Sequence, residues 1–322
     1  MPALCLNERD VHELVDPLEL IAAMEAALAD FSAGEVAQPV RTTIELDEGS
    51  YFLVMPAFVR SPTVHGAKLL TLIPGNSARG LPTHVATIAL MDPASGALIA
   101  LVDGAAITEL RTAAVSAVSA RYLARPDASR LAILGTGVQA RGHLAFLPLV
   151  REFSHISIWG RSADRARALA SAAGRPVHLA ASAQEAVCDA DVVVLVTASP
   201  VPMIEDAWVG PGTHVISVGA CRPTEREMDP ALVTRSHLVV DSRAAALAES
   251  GDVLQGIREG RFGEDHLRAE LGHVISGRSG RPSDQSVTVF KSLGMAVEDL
   301  VAAHLAWRRA CERGRGVEAG IG

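Results

Sequence analysis

The run Arg130-Leu131-Ala132-Ile133-Leu134-Gly135-Thr136-Gly137-Val138-Gln139-Ala140 constrains this 322-residue chain more than any other stretch. Four consecutive apolar residues read as a buried strand. The strand leads into Gly-x-Gly-x-x-Ala, and Gln139-Ala140-Arg141 continues as a helix. That order, strand then tight glycine turn then helix start, is the fingerprint of a dinucleotide site. Gly135 permits the sharp turn, Gly137 lets backbone approach a pyrophosphate, and Ala140 is small enough for close helix–strand packing. The helix N-terminus offers unpaired N–H groups and a positive dipole end to phosphates. An ordinary glycine-rich turn is the competing reading, and the flanking strand and helix argue against it.

The rest of the chain supplies the context. The hydrophobic fraction is 49% and the charged fraction 20%, so a folded chain with two cores is expected. A net charge of −8 argues against nucleic-acid binding. No run of 18 or more apolar residues indicates a membrane span. Met1–Cys5 lacks the basic start of a secretory signal. The four cysteines, Cys5, Cys188, Cys221 and Cys311, have neither metal nor disulfide-framework spacing, which predicts a cytoplasmic protein with reduced thiols and no bound metal.

Residues 8–34 read as one helix ended by Gly34, with Leu14, Leu18, Ile21 and Leu28 on its apolar face. Strands follow at 41–46, 50–55, 64–73, 85–92 and 97–103, with a hairpin turn at Asp47-Glu48-Gly49. This is a helix followed by a mostly antiparallel sheet. Small residues from Ala105 to Leu123 predict a closely packed helix. After the glycine loop, strands at 156–159, 192–196, 213–218 and 237–241 alternate with helical stretches, the pattern of a parallel sheet covered on both faces. Helical signal from Val287 through Arg313 ends the chain and packs back on the first domain. The expected fold class is α/β: a Rossmann-type doubly wound parallel sheet at 119–296, plus a discontinuous α+β domain of 1–118 with 297–322.

Three stretches carry chemistry. An NAD site usually places an acid about 20 residues beyond the glycine loop. This chain has Trp159-Gly160-Arg161-Ser162 there. Arg161 suits a 2′-phosphate and Ser162 can donate to it, so NADP(H) is expected over NAD(H), although a solvated surface arginine would look the same. Thr197, Ala198 and Ser199 end a later strand, where ligands bind in such sheets; a merely polar strand end is the alternative. Arg41, Lys68 and Arg111 are isolated cations in apolar or small surroundings. Buried there, each needs a partner. A substrate carboxylate would serve, and so would an internal salt bridge, with Glu109 a candidate. A lysine beside two arginines has a lowered pKa and can donate a proton near neutrality. His84 in Gly80-Leu81-Pro82-Thr83-His84 is more commonly a loop histidine satisfied by backbone than a catalytic one. Asp252, His266 and His273 show no ligand spacing and receive no role.

In combination, Met55-Pro56-Ala57, Gly66-Ala67-Lys68, Gly80–His84, Asp103-Gly104 with Ile107–Ala114, the glycine loop, Gly219-Ala220-Cys221-Arg222-Pro223 and Phe290-Lys291-Ser292-Leu293-Gly294 resemble the ornithine cyclodeaminase/μ-crystallin family over roughly residues 5–310. The resemblance implies a homodimer whose discontinuous domain binds substrate. It implies that Arg41, Lys68 and Arg111 hold a substrate carboxylate, with Lys68 the proton donor. It implies cofactor contacts from Thr83, Gly135, Thr136, Gly137, Val138, Gln139, Arg161, Ser162, Thr197, Ala198, Ser199, Val218, Gly219, Ser292 and Gly294. The chain departs from the cyclodeaminases at two positions, Cys221 in place of an aspartate and Leu53 in place of a glutamate. A thiol and an alkyl chain cannot replace two carboxylates. The resemblance therefore points to the ketimine-reductase branch: NAD(P)H-dependent reduction of Δ1-pyrroline-2-carboxylate or Δ1-piperideine-2-carboxylate to L-proline or L-pipecolate. An alanine-type amino-acid dehydrogenase, a cyclodeaminase and a nucleotide-binding protein without turnover are the alternatives.

Overall fold

The computed structural model describes residues 3–47 and 49–320. Glu48 of the expected hairpin turn and the terminal Met1 and Pro2 lie outside them. The chain divides into two compact units, residues 1–111 with 295–322 and residues 112–294. The first division falls inside one helix, Gly104–Leu123, upstream of the 118/119 junction read from the sequence.

The first unit is built on a sheet of eight strands. Seven are β1 (Ala3–Leu6), β2 (Val36–Ala37), β3 (Thr42–Asp47), β4 (Ser50–Val59), β5 (Val64–Leu72), β6 (His84–Met91) and β7 (Leu98–Asp103). The strand Val317–Ala319 extends it beyond β1, and the order from there runs β1-β7-β6-β5-β4-β2, with β3 paired to β4. All pairings are antiparallel except β1 with β7. Alternation in β4 sends Leu53, Met55, Ala57 and Val59 to a buried face. Register sets Met55 opposite Lys68, and Lys68 opposite Ile88, on that same face. The terminal helix Ala296–Arg313 covers β4, β5 and β6 and lies beside the helix Pro17–Ser32. Its first turns are almost wholly buried, including Glu298 and Asp299.

Two expectations fail here for local reasons. The single helix at 8–34 is two, Glu8–Leu14 and Pro17–Ser32. Pro17 has no N–H to continue the first, and Asp16 caps the second by accepting from the Glu19 amide at 2.9 Å. The helical run from Val287 is also broken. Thr288–Lys291 is a strand, since Val-Thr-Val-Phe is rich in β-branched and aromatic residues, and Gly294 at φ +83° separates it from the helix.

The second unit holds an all-parallel sheet: β8 (Arg130–Leu134), β9 (His155–Trp159), β10 (His178–Leu179), β11 (Val192–Leu195), β12 (His214–Ser217), β13 (His237–Val240), β14 (Leu267–Glu270) and β15 (Thr288–Lys291). The order is β10-β9-β8-β11-β12-β15-β13-β14. The chain winds outward from β8 in both directions, so this is a doubly wound sheet whose switch point lies between β8 and β11. β8 and β11 are apolar throughout their buried lengths, as suits strands covered on both faces, while β12 buries Val215 and Ile216 between His214 and Ser217. Among the described residues no helix is long and apolar enough to cross a membrane.

Candidate active site

The glycine loop follows β8, at the switch point. Gly135 has φ +134°, and a Cβ there would lie 2.5 Å from the Val196 carbonyl oxygen. Only glycine fits that turn. Its amide donates to the Trp159 carbonyl at 2.9 Å, tying the loop to β9. Gly137 is the N-cap of the helix Val138–Phe146, and no side chain caps it. The first-turn N–H groups therefore face the space above the loop, and a Cβ at Gly137 would meet no atom within 4 Å. A pyrophosphate fits this cradle. His143 fixes the helix from below. Its buried ring bonds the Gln139 carbonyl and the Ser116 hydroxyl, each at 2.7 Å, and burial lowers its pKa to about 4, so it is neutral.

The other cofactor candidates of this unit gather at the same carboxyl edge. Arg161 and Ser162 follow β9, Thr197–Ser199 follow β11, Val218 and Gly219 follow β12, and Ser292 and Gly294 follow β15. Arg161 is exposed. Ser162 caps the helix Ala163–Ala172, accepting from the Arg165 amide at 3.4 Å. Thr83 alone belongs to the first unit, preceding β6, where its carbonyl accepts from the Ile73 amide.

A buried network shapes this edge. Glu227 accepts from the Thr197 amide at 2.9 Å and hydroxyl at 2.7 Å, and from the Gly219 amide at 2.6 Å. A Cβ on Gly219 would sit 2.0 Å from the Thr197 carbonyl oxygen, so glycine permits this approach. Burial pushes Glu227 upward, against the pull of Lys291 and the Thr197 bonds. Lys291 lies 3.4 Å from Asp252 and donates to Ser217 at 3.1 Å. Burial alone would depress its pKa, but Asp252, Cys221 and Glu227 together raise it. Asp252 also accepts from the Glu227 and Met228 amides, both at 3.1 Å. Asp241 accepts from the Leu293 and Gly294 amides, at 2.5 and 2.7 Å. Asp252, given no role by its sequence spacing, thus helps fix the strand ends.

In the first unit Lys68 and Arg111 come together. Lys68 is 2% exposed, with Nζ 2.7 Å from Asp299 Oδ2 and donating to Thr108 Oγ1 at 3.2 Å. Arg111 donates from Nε to Asp299 Oδ1 at 3.0 Å and from Nη1 to Glu298 Oε2 at 2.6 Å. Burial lowers the Lys68 pKa to about 8; Asp299 opposes that fall, while Arg111 and Arg41 add to it. Arg41 is half-buried just before β3 and within electrostatic reach of Lys68. Burial and Lys68 hold His84 at about 4, so it is neutral. Glu109, the acid closest in sequence to Arg111, lies 3.8 Å from His12. Glu298 and Asp299 are the acids that sequence reasoning misses. Two carboxylates inside Ala296-Val297-Glu298-Asp299-Leu300-Val301 are as isolated among apolar residues as Lys68 is, and that signal could have found them.

The two departures are also placed. Leu53 is buried on β4, opposite Leu70 and on the Lys68 face. Cys221 follows β12, and its thiol donates to the Val218 carbonyl at 3.2 Å. Among the described residues no group of three or more His, Cys, Asp and Glu could hold a metal ion.

A doubly wound sheet with a pyrophosphate cradle defines a dinucleotide-binding protein, and this chain carries a buried lysine–arginine cluster besides. Comparison with known proteins is consistent with this class. A match to the ornithine cyclodeaminase/mu-crystallin family spans residues 3–314, and the chain belongs to that family. It is 45% identical over 311 residues to the ketimine reductase mu-crystallin of Mus musculus, covering 95% of this chain and 96% of that protein. A solved structure of Thermococcus litoralis Δ1-pyrroline-2-carboxylate reductase, in complex with NADH and L-proline, superposes with a TM-score of 0.95 at 35% identity, over 98% of this chain and all of the other. An archaeal alanine dehydrogenase dimer with bound NAD superposes equally well, at 29% identity over the full length of both chains.

Proposed function

We propose that this protein is an NAD(P)H-dependent ketimine reductase that converts a cyclic imino acid, Δ1-pyrroline-2-carboxylate or Δ1-piperideine-2-carboxylate, into L-proline or L-pipecolate. The observation that carries the reading is Lys68: a buried amine with a pKa near 8, paired to Asp299 and close to Arg111. In this reading Arg41 and Arg111 hold the substrate carboxylate, Arg by its bidentate fork, and Lys68 contributes. The Lys68 ammonium keeps the imine nitrogen protonated, which makes the imine carbon electrophilic. The nicotinamide, when bound, supplies hydride to that carbon. The C=N bond becomes CH–NH, one hydride and one proton having been added. Leu53 and Cys221 leave no carboxylate at the two positions that cyclodeaminases use, so the hydride stays in the product. The enzyme is placed in the cytoplasm, where its scattered cysteines remain reduced.

An assay of nicotinamide oxidation tests the substrate class. Turnover of five- or six-membered cyclic imino acids without ammonia is expected. Oxidation that requires pyruvate and ammonia together would instead establish an alanine dehydrogenase, and neither activity would leave a nucleotide-binding protein. The same assay bears on the cofactor. Arg161, exposed beyond β9 where an acid would otherwise contact the ribose, supports NADPH. kcat/KM should be higher with NADPH than NADH, and Arg161→Ala should erase the difference; a clear NADH preference in the parent enzyme refutes it.

A homodimer is supported by the open face of the first unit's sheet. Ile44, Leu69 and Val85 are 49, 42 and 50% exposed there. Register sets Ile44 beside Phe52 and Leu69 beside Val54, forming one apolar strip across β3, β4 and β5. A strip of this kind on a folded domain marks an interface. Light scattering should give twice the chain mass, and Leu69→Asp should give a monomer. A parent protein that is itself monomeric rules the dimer out.

A further inference from the structure

Asp299 does more than neutralise a neighbour. It sits in the first turn of the terminal helix, where the helix dipole favours an ionised carboxylate. Its two oxygens are divided between two cations on different elements: Oδ2 meets Lys68 on β5 at 2.7 Å, and Oδ1 accepts from Arg111 at 3.0 Å. Thr108 donates its own hydroxyl proton to the Gly104 carbonyl at 2.6 Å, so its oxygen presents a lone pair to Lys68. The ammonium thereby pairs with the Asp299 carboxylate and donates a hydrogen to Thr108.

We propose that Asp299 is a positioning residue of this site: its carboxylate fixes the Lys68 ammonium beside Arg111, so that an ammonium hydrogen is held for the substrate. The proposal rests on reading Lys68 as the proton donor. The groups around Lys68 explain why a carboxylate is needed there. The terminal helix contributes Asp299, with Glu298 one residue before it on Arg111; the helix Gly104–Leu123 contributes Arg111 and Thr108; the segment before β3 contributes Arg41; and β6 contributes neutral His84. Burial, Arg111 and Arg41 all favour the neutral amine, and Asp299 opposes them. Burial raises the Asp299 carboxyl, but Lys68 and Arg111 outweigh it and hold the group ionised.

The test is a pH titration of the Lys68 amine by nitrogen NMR of the full-length protein, with its resonance identified by loss in Lys68→Met. This readout needs no turnover, so it stands whatever the substrate proves to be. In Asp299→Asn the midpoint should fall from near 8 by about 1–3 units, the range expected for losing an adjacent opposite charge. The alkaline limb of kcat/KM should move down with it. Glu298→Gln, which alters the acceptor of Arg111 and of the Met295 amide, should shift the midpoint less. An unchanged midpoint in Asp299→Asn, or an equal shift in Glu298→Gln, overturns the proposal. Should Asp299→Asn fail to fold, Asp299→Glu decides. It keeps the charge but displaces the ammonium, so the midpoint should stay near 8 while kcat falls and KM changes little. A parental kcat in that variant overturns the positioning role.

Discussion

Lys68→Met should lower kcat for imine reduction by roughly 10²–10⁴-fold, the usual contribution of a positioned acid. NADPH affinity should be unchanged, because the glycine-loop cradle is built wholly from the second unit. Methionine preserves the apolar stem and removes only the ammonium. It also leaves Asp299 with Arg111 as its remaining cation, so the cost should stay below the about 3–5 kcal/mol of a buried charge left wholly uncompensated. A lowered melting temperature is therefore expected together with the lost turnover, and retained NADPH binding separates the chemical loss from unfolding. The parent enzyme should show the matching pH dependence. The ordinary lysine pKa of 10.5 is lowered here to about 8. Below that value the amine carries its proton and reduction runs; reduction should fall as pH rises through about 8. Oxidation of the amino acid needs the neutral amine and should rise over the same range. A Met variant that turns over at the parental rate would remove Lys68 from the chemistry.

The second large effect is expected at the glycine loop. Gly135→Ala places a methyl group 2.5 Å from the Val196 carbonyl oxygen at a φ of +134°. Strain of this kind costs about 1–3 kcal/mol. If the loop relieves it by moving, the cradle is lost. The dissociation constant for NADPH should rise by roughly 5- to 150-fold, the equivalent of that energy. Calorimetric titration measures it. Parental affinity in a folded Gly135→Ala protein would mean that the loop does not hold the pyrophosphate.

These expectations differ in how much of their basis is legible in the sequence. The glycine loop is readable because its chemistry is local: strand, turn and helix start lie within one run of residues. In the first sheet β4, β6 and β7 are readable because they alternate buried and open positions, whereas β1, β2 and the strand Val317–Ala319 are too short to carry a period and go unread. The split at Pro17 has a local signal too, a proline preceded by a capping aspartate. Thr288–Lys291 is harder, since a short apolar run beside a long helix carries no distinguishing period. The order of the strands in both sheets comes from long-range pairing and has no local mark. The site divides in the same way. Lys68 and Arg111 stand out as cations in apolar settings, but their partner Asp299 lies 188 residues beyond Arg111. Glu227, Asp252, Lys291 and Asp241 look like ordinary surface charges in the sequence. Only folding brings them beneath the carboxyl edge, where their bonds fix the backbone of Thr197, Gly219 and Gly294.

In a ketimine reductase the hydride ends on the α-carbon of the product. Supplying nicotinamide deuterated at its hydride-donating carbon, together with Δ1-pyrroline-2-carboxylate, tests this directly by mass spectrometry of the product. Proline carrying one deuterium at its α-carbon, with one equivalent of cofactor oxidised, is the predicted result. Unlabelled proline formed in a parallel incubation with ornithine in place of the imine, with no net cofactor oxidation, would contradict it and return the chain to the cyclodeaminase reaction.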